Sequence, residues 1–273
     1  MHKTFHTEGP ASLYVEIGAG SVQVRAAGAG PTEIQVDGRD ADDVTVEQRG
    51  EQIVVIAPQR RGGFFGFGNE LTVIVQAPAG SDLATKLGSA DLEVTGRIGA
   101  ARVKSGSGDI RAEEVADQAT LTSGSGDVEI EKALGHLRIK TGSGRVRVHH
   151  VSGTVAVASG SGQIDIDETE REAATKTGSG DVHIARAHGD VSMTSASGTL
   201  EVGSIGAGVV RAKTASGDVA VAVPHGTPVW TDISCLTGSV RSSLDTSGKP
   251  AEGQDYVEVR ATTVSGDVVL SHT

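Results

Sequence analysis

Large side chains are scarce in this 273-residue chain: aromatics make up 3% of it, with one Trp, two Tyr and four Phe. A thick globular core built on bulky residues is therefore excluded, and thin, repetitive β-structure is the alternative. Cysteine occurs once, at Cys235, so no intrachain disulfide forms and nothing in the chain requires an oxidising compartment. Basic residues are in deficit, with 24 Lys and Arg against 35 Asp and Glu, and the net charge of −11 argues against nucleic acid as a partner. Long apolar runs are missing too. IVVIA at 53–57 is far short of the roughly 20 residues a membrane helix needs. The opening MHKTFHTEGPASLYVEI has neither the apolar stretch nor the cleavage site of a secretory signal. The expectation is a soluble cytoplasmic protein without direct membrane insertion.

Glycine, in contrast, is abundant, at 38 residues, and much of it recurs at one period. The residue after the glycine turn falls at Asp91, Asp109, Asp127, Arg145, Gln163, Asp181 and Thr199, in steps of 18. Asp218 follows after 19, which puts an extra residue in GSIGAGVV, 203–210. One column of the repeat reads Leu92, Ile110, Val128, Val146, Ile164, Val182, Leu200 and Val219. A second, two residues on, runs from Val94 through Ile130 and Ile166 to Val221. A third, before the turn, holds Val103, Leu121, Ile139, Val157 and Met193. Alternation of period two marks strands with one buried face. A fixed repeat length means that successive copies stack in register.

These columns define an all-β, single-stranded parallel β-solenoid (a β-helix) with 18-residue coils. The hexapeptide type of helix is excluded, because stepping six residues from Val128 reaches Leu134 and then Lys140. Two main strands per coil fit instead, joined by the glycine turn and a looser turn near Gly135 or Gly153. The organisation read from the sequence is one continuous domain, with a β-rich cap over 1–80, coils over 81–222 and a second β cap over 223–273.

Between the buried columns lies an outward one: Glu93, Arg111, Glu129, Arg147, Asp165, His183 and Glu201. Strands about 4.8 Å apart would set like charges against each other, and here acid and base mostly alternate. The column fixes register. Asp127 shares its own column with Arg145, Gln163 and Thr199, so no common carboxylate chemistry runs along it. The expectation is a structural turn, with Gly124 and Gly126 supplying special backbone angles and Ser, Thr and Asp bonding the turn's own backbone.

Two places could carry function. RRGGFFGFGNE, 60–70, gathers Phe64, Phe65 and Phe67 behind Arg60 and Arg61, a composition suited to a contact loop or to covering the cap's core. A neighbouring pair of outward columns forms an acidic and histidine edge, with Glu113, Glu131, His149 and Asp167 beside Glu114, His150 and Glu168. Paired carboxylates of this kind could serve a carbohydrate-binding or carbohydrate-active protein, although a solvated acidic edge is the commoner arrangement. Calcium binding is disfavoured by Arg145 in the Asp column, and no compact transition-metal motif is present. No cofactor or metal is expected. Nucleotide and serine-hydrolase motifs are absent.

The order of features resembles the bacterial adhesin-type β-strand-repeat family, also called toastrack domains. The residues that carry the likeness are LTVIVQAPAGSDLATKLGSADLEV at 71–94, the repeated TSGSGDVEI units, VAVPHGTPVWTDISCLTGSV at 221–240 and the closing VSGDVVL. The resemblance implies a single-stranded β-helix with no established enzymatic activity, of a kind often found beside envelope-stress, signalling or membrane-associated modules. It points to a scaffold that binds protein partners, envelope-associated or self.

Overall fold

A computed structural model describes residues 1–7, 9–58, 70–244 and 255–273. The chain is all-β, and its strands wind as a parallel solenoid. The only helical segment among the described residues is the short 3-10 turn Ala41–Asp43. Two compact units, Met1–His136 and Leu137–Thr273, divide the chain.

In the first unit two long strands, Ser12–Ala26 and Asp82–Ile98, pair in parallel along most of their length. On its other side Ser12–Ala26 pairs in parallel with Gln52–Ile56 and Leu71–Ala77. Antiparallel strands finish this end: Thr45–Arg49 on Gln52–Ile56, Thr32–Asp37 on Leu71–Ala77, and His2–Phe5 on Thr32–Asp37. The two outermost strands are short and carry Lys3, Glu47 and Arg49, a composition that discourages pairing with another chain. Past Asp82 the regular coils begin. Ala101–Ser105 and Ile110–Val115 form one coil, and Ala119–Ser123 and Val128–Ala133 the next. Leu121 lies against Val103 and Ile130 against Ala112, each pair separated by a single repeat length.

The second unit continues the pattern. Leu137–Thr141, Val155–Ser159, Ala173–Thr177 and Val191–Ser197 stack as one sheet. Val146–Val151, Ile164–Thr169, Val182–Ala187 and Leu200–Val202 stack as the other. The additional residue sits between Ile205 and Val210. Ile205 still pairs with Ala187 at the regular repeat spacing, whereas Val210 pairs with Val191, a position farther back than the repeat alone would place it. Chain order then changes. Gly208–Ser216 and Val219–Val223 pair with Val257–Ser265 and Val268–His272, the last strands of the chain. Val229–Cys235 and Val240–Ser242 lie on the far side of those last strands. The C-terminal segment is thus a coil inserted between two coils that precede it in sequence.

Each coil buries its aliphatics on the next. Ile164 and Ile166 cover Val182 and Ile184, and all four are at most 1% exposed. Burying such a side chain is worth roughly 1.5–3 kcal/mol. No aromatic side chain among the described residues is buried, so the solenoid's interior is aliphatic and thin.

The turns show why glycine and hydroxyl residues recur. Ser123 Oγ donates to the Gly126 carbonyl at 3.2 Å, and the Gly162 and Gly180 amides donate to Ser159 Oγ and Thr177 Oγ1, each at 2.9 Å. These buried hydroxyls bond their own turn, as the sequence led us to expect. The glycines act differently from that expectation. Gly124 and Gly126 do not have left-handed backbone angles, in contrast to glycines such as Gly96 (φ 79°) and Gly198 (φ 133°). Their requirement is closeness. The Gly124 amide donates to the Ser105 carbonyl at 3.1 Å, and a Cβ on Gly126 would be driven into the Gly108 carbonyl oxygen.

Gly126→Ala should therefore destabilise the fold by about 1–3 kcal/mol, as overpacking does. Gly206→Ala, at a position with open space and ordinary φ, should stay within about 0.5 kcal/mol of the parent. Chemical denaturation of both variants checks this, and equal midpoints would contradict it.

Candidate functional site

The aspartates that follow the glycine turns bridge coils. Asp91 Oδ1 accepts the Asp109 amide at 2.9 Å, and Asp109 Oδ1 accepts the Asp127 amide at 3.0 Å. In the second unit Asp181 accepts from Thr199 at 2.8 Å, and Asp218 accepts from Asp267 at 2.7 Å. The expected bond to the turn's own backbone is thereby corrected, because the carboxylate reaches the amide one coil onward. Asp267 in turn accepts the Ser239 amide at 2.9 Å. That bond, with Arg241 nearby, lowers its pKa. This column serves structure.

The outward charged column is an ion-pair ladder. Arg111 lies 3.4 Å from both Asp109 and Glu129, and His183 lies 3.4 Å from Glu201. Arg147 reaches Asp167 at 3.7 Å, diagonal to its register partner Asp165.

The acidic and histidine edge follows from a local feature of the second strand of each coil. Two consecutive residues face outward there before the chain turns inward again, as at Glu113 and Glu114 before buried Val115. In the first unit Glu113 accepts the Gly96 amide at 2.7 Å, and Glu114 faces Arg97 at 3.5 Å and Lys132 at 4.0 Å. Glu131 is exposed on the following coil.

In the second unit His149 Nδ1 meets Asp167 at 2.8 Å, and His150 Nδ1 lies 3.5 Å from Glu168. Glu168 is the hub. Arg186 Nε donates to it at 3.3 Å and His188 Nε2 lies 3.1 Å away, and these contacts hold its pKa down at about 2. Glu168, Glu170 and His188 each bring a potential ligand atom within 4.8 Å of the others. With Arg186 already on Glu168, the group is a knot of ion pairs.

Arg60, Arg61, Phe64, Phe65 and Phe67 lie outside the described residues. The sequence reading missed a different group. Among the described residues the exposed large hydrophobics are Trp230, Leu236, Val240, Tyr256 and Val264, all in the last coils of the second unit. Trp230 is stacked by the Arg260 guanidinium, 5.9 Å from its ring centre. The available signal was an apolar strand, VWTDISC, with no further copy of the repeat to cover it. The aromatics Trp230 and Tyr256 stand on other coils than His149 and His150. Tyr14, in the first unit, donates to Glu16 at 2.7 Å, which raises its pKa.

Stacked coils with aliphatic inner columns, charge-paired outer columns and one apolar end define a repeat protein of the β-solenoid class. The model of the Toastrack DUF4097 family matches residues 12–176 and 171–271, and the chain belongs to that family. Three solved structures are similar to it. The first is a putative lipid binding protein from Parabacteroides distasonis, 12% identical, with 98% of this chain and 96% of that chain covered and a TM-score of 0.42. The second is a putative adhesin from Bacteroides fragilis, 10% identical, with 100% and 96% covered and a TM-score of 0.38. The third is a putative cell adhesion protein from Clostridium sporogenes, 11% identical, with 100% and 99% covered and a TM-score of 0.28. Likenesses this distant carry nothing about activity. No curated protein matches the chain. Among the described residues no helix is long and apolar enough to cross a membrane.

Glu168 yields a pH prediction. Its folded pKa, about 2, lies below the ordinary 4.5. Its stabilising contribution is therefore complete above pH 4.5 and is lost as pH falls toward 2. Glu168→Gln should be less stable than the parent at pH 7, and the difference should shrink through that window. Denaturation of both proteins across pH checks this, and a difference unchanged at pH 2 would contradict it.

Proposed function

We propose that this chain is a non-catalytic interaction protein that works through protein–protein contact. The observation that carries the reading is the apolar end of the second unit, where Leu236 is 76% exposed and Trp230 and Val240 are each 51% exposed. Exposed apolar residues gathered in one place mark contact surfaces, and aromatic residues with Arg are favoured there. Trp230 over Arg260, with Tyr256 nearby in sequence, has that composition. The outward columns of the coils carry ion pairs such as Arg111–Glu129 and Arg186–Glu168, and exposed ion pairs contribute little to binding. The resemblance of the repeat to adhesin-type β-strand-repeat domains is in keeping with a contact role, and the chain belongs to the Toastrack DUF4097 family.

The absence of catalysis is part of the proposal. Along the acidic edge the carboxylates and imidazoles are engaged with each other, with Arg or Lys, or with backbone amides. Carbohydrate processing, the other reading of that edge, would need a carboxylate free to exchange a proton with substrate. It would also want aromatic platforms beside it, and Trp230 and Tyr256 stand on other coils.

A photo-crosslinking residue placed at 236, compared with one at exposed 138 on the charged flank, tests the reading in cells. The expected outcome is a discrete protein adduct from 236, whether with this chain or another, and none from 138. No adduct from 236, or equal labelling from both positions, would contradict it.

A further inference from the structure

We infer that the partner of the apolar end is a second copy of this chain, seated end to end about a two-fold axis. This rests on the contact reading above and names its occupant.

The starting point is an edge. Val229–Cys235 is hydrogen-bonded on one side, to Val257–Ser265, and Val240–Ser242 on one side, to Val268–His272. Among the described residues no strand lies on their other side. The outer coil therefore presents a row of backbone donors and acceptors ready to pair. It also presents inner-column residues with nothing over them. Val240 is in register with Val268, which is 0% exposed, yet Val240 itself is 51% exposed. Val229 and Ile233 likewise stand over Val257 and Ala261, which are fully buried or nearly so, and remain partly open.

The outer strands of the first unit are built the other way. Thr45–Arg49 and His2–Phe5 are short, and they carry Lys3, Glu47 and Arg49. Both kinds of edge carry charge, but among the described residues only the second unit exposes large apolar side chains, Trp230, Leu236 and Val240 among them. Such an asymmetry favours a contact that uses the apolar edge twice over a head-to-tail stack. A two-fold contact covers both open coils at once and then stops.

Charge selects the pairing. The outer coil carries Asp232 on the strand Val229–Cys235 and Arg241 on the strand Val240–Ser242. Pairing each strand with its own copy would oppose Asp232 to Asp232 and Arg241 to Arg241. Pairing each strand with the other strand of the second copy brings Asp232 toward Arg241. The swapped arrangement is antiparallel and two-fold, and it lays the open inner-column residues Val229, Ile233 and Val240 of both copies into one apolar layer, with Leu236 at the turn beside it. Two short strands and a few apolar side chains make a small interface, below about 1,200 Å², so a dissociation constant of micromolar order is expected.

The test is sedimentation velocity on a dilution series of the full chain. The parent should pass from monomer to dimer with concentration and go no further. Leu236→Lys combined with Val240→Lys should remain monomeric throughout with an unchanged circular dichroism spectrum. If that pair fails to fold, Leu236→Lys alone, at a turn position 76% exposed, carries the same test. Asp232→Lys should weaken the dimer at least tenfold. A parent that is monomeric at every concentration, a species that grows beyond the dimer, or a folded variant that still dimerises would overturn the inference. If position 236 crosslinks to a different protein while the parent stays monomeric, the second-copy assignment falls and the contact reading stands.

Discussion

Backbone must approach backbone at the corners of this solenoid, and the rest of the structure depends on that approach. In an ordinary sheet the turns splay outward and only the strands pair. Here the turns pair as well, with the Ser125 amide on the Gly106 carbonyl and the Ser161 amide on the Gly142 carbonyl, both at 3.1 Å. A side chain at Gly126, Gly162 or Gly180 would collide with the carbonyl of the coil before it. Glycine therefore sets the spacing, and the buried Ser or Thr beside it holds the turn closed. Once the corners stack, both strands of each coil stack in register.

That stacking dictates the surface. Residues a repeat length apart become neighbours, so each outward column is a one-dimensional problem in charge and hydrogen bonding. The Asp column solves it by aiming a carboxylate at the next coil's amide. The Glu, Arg and His columns solve it by pairing across coils, with Glu168 gathering both Arg186 and His188. Such columns hold register. Exposed apolar side chains remain where stacking stops, and there the two kinds of edge differ: the outer strands of the first unit carry Lys3, Glu47 and Arg49, while Trp230, Leu236 and Val240 stay open in the second.

The periodic part of this architecture was legible in the sequence, because the inner columns from Leu92 to Val219 are spaced by the geometry that buries them. The extra residue of 203–210 was legible for the same reason. Spacing identifies which residues share a column but not which atoms bond. Gly126 was therefore read as a matter of backbone angle, when it is one of clearance, and Asp127's column as turn-closing, when it bridges coils. The insertion of Val257–Ser265 between earlier coils leaves no mark in the repeat, since its pairing with Gly208–Ser216 passes over the whole of the strand Val229–Cys235 and the loop after it. Trp230 and its neighbours went unread as a site for that reason, since their exposure depends on which coil ends the stack.

Methyl–methyl NOE spectroscopy tests the stacking most directly. With Ile, Leu and Val methyls labelled, contacts should appear between Ile164 and Val182 and between Ile166 and Ile184, pairs in adjacent register across coils. Those contacts are the predicted result. If Ile164 and Ile166 instead gave methyl contacts only to residues close in sequence or to antiparallel hairpin partners, the coils would not stack at the repeat length and the account would be wrong.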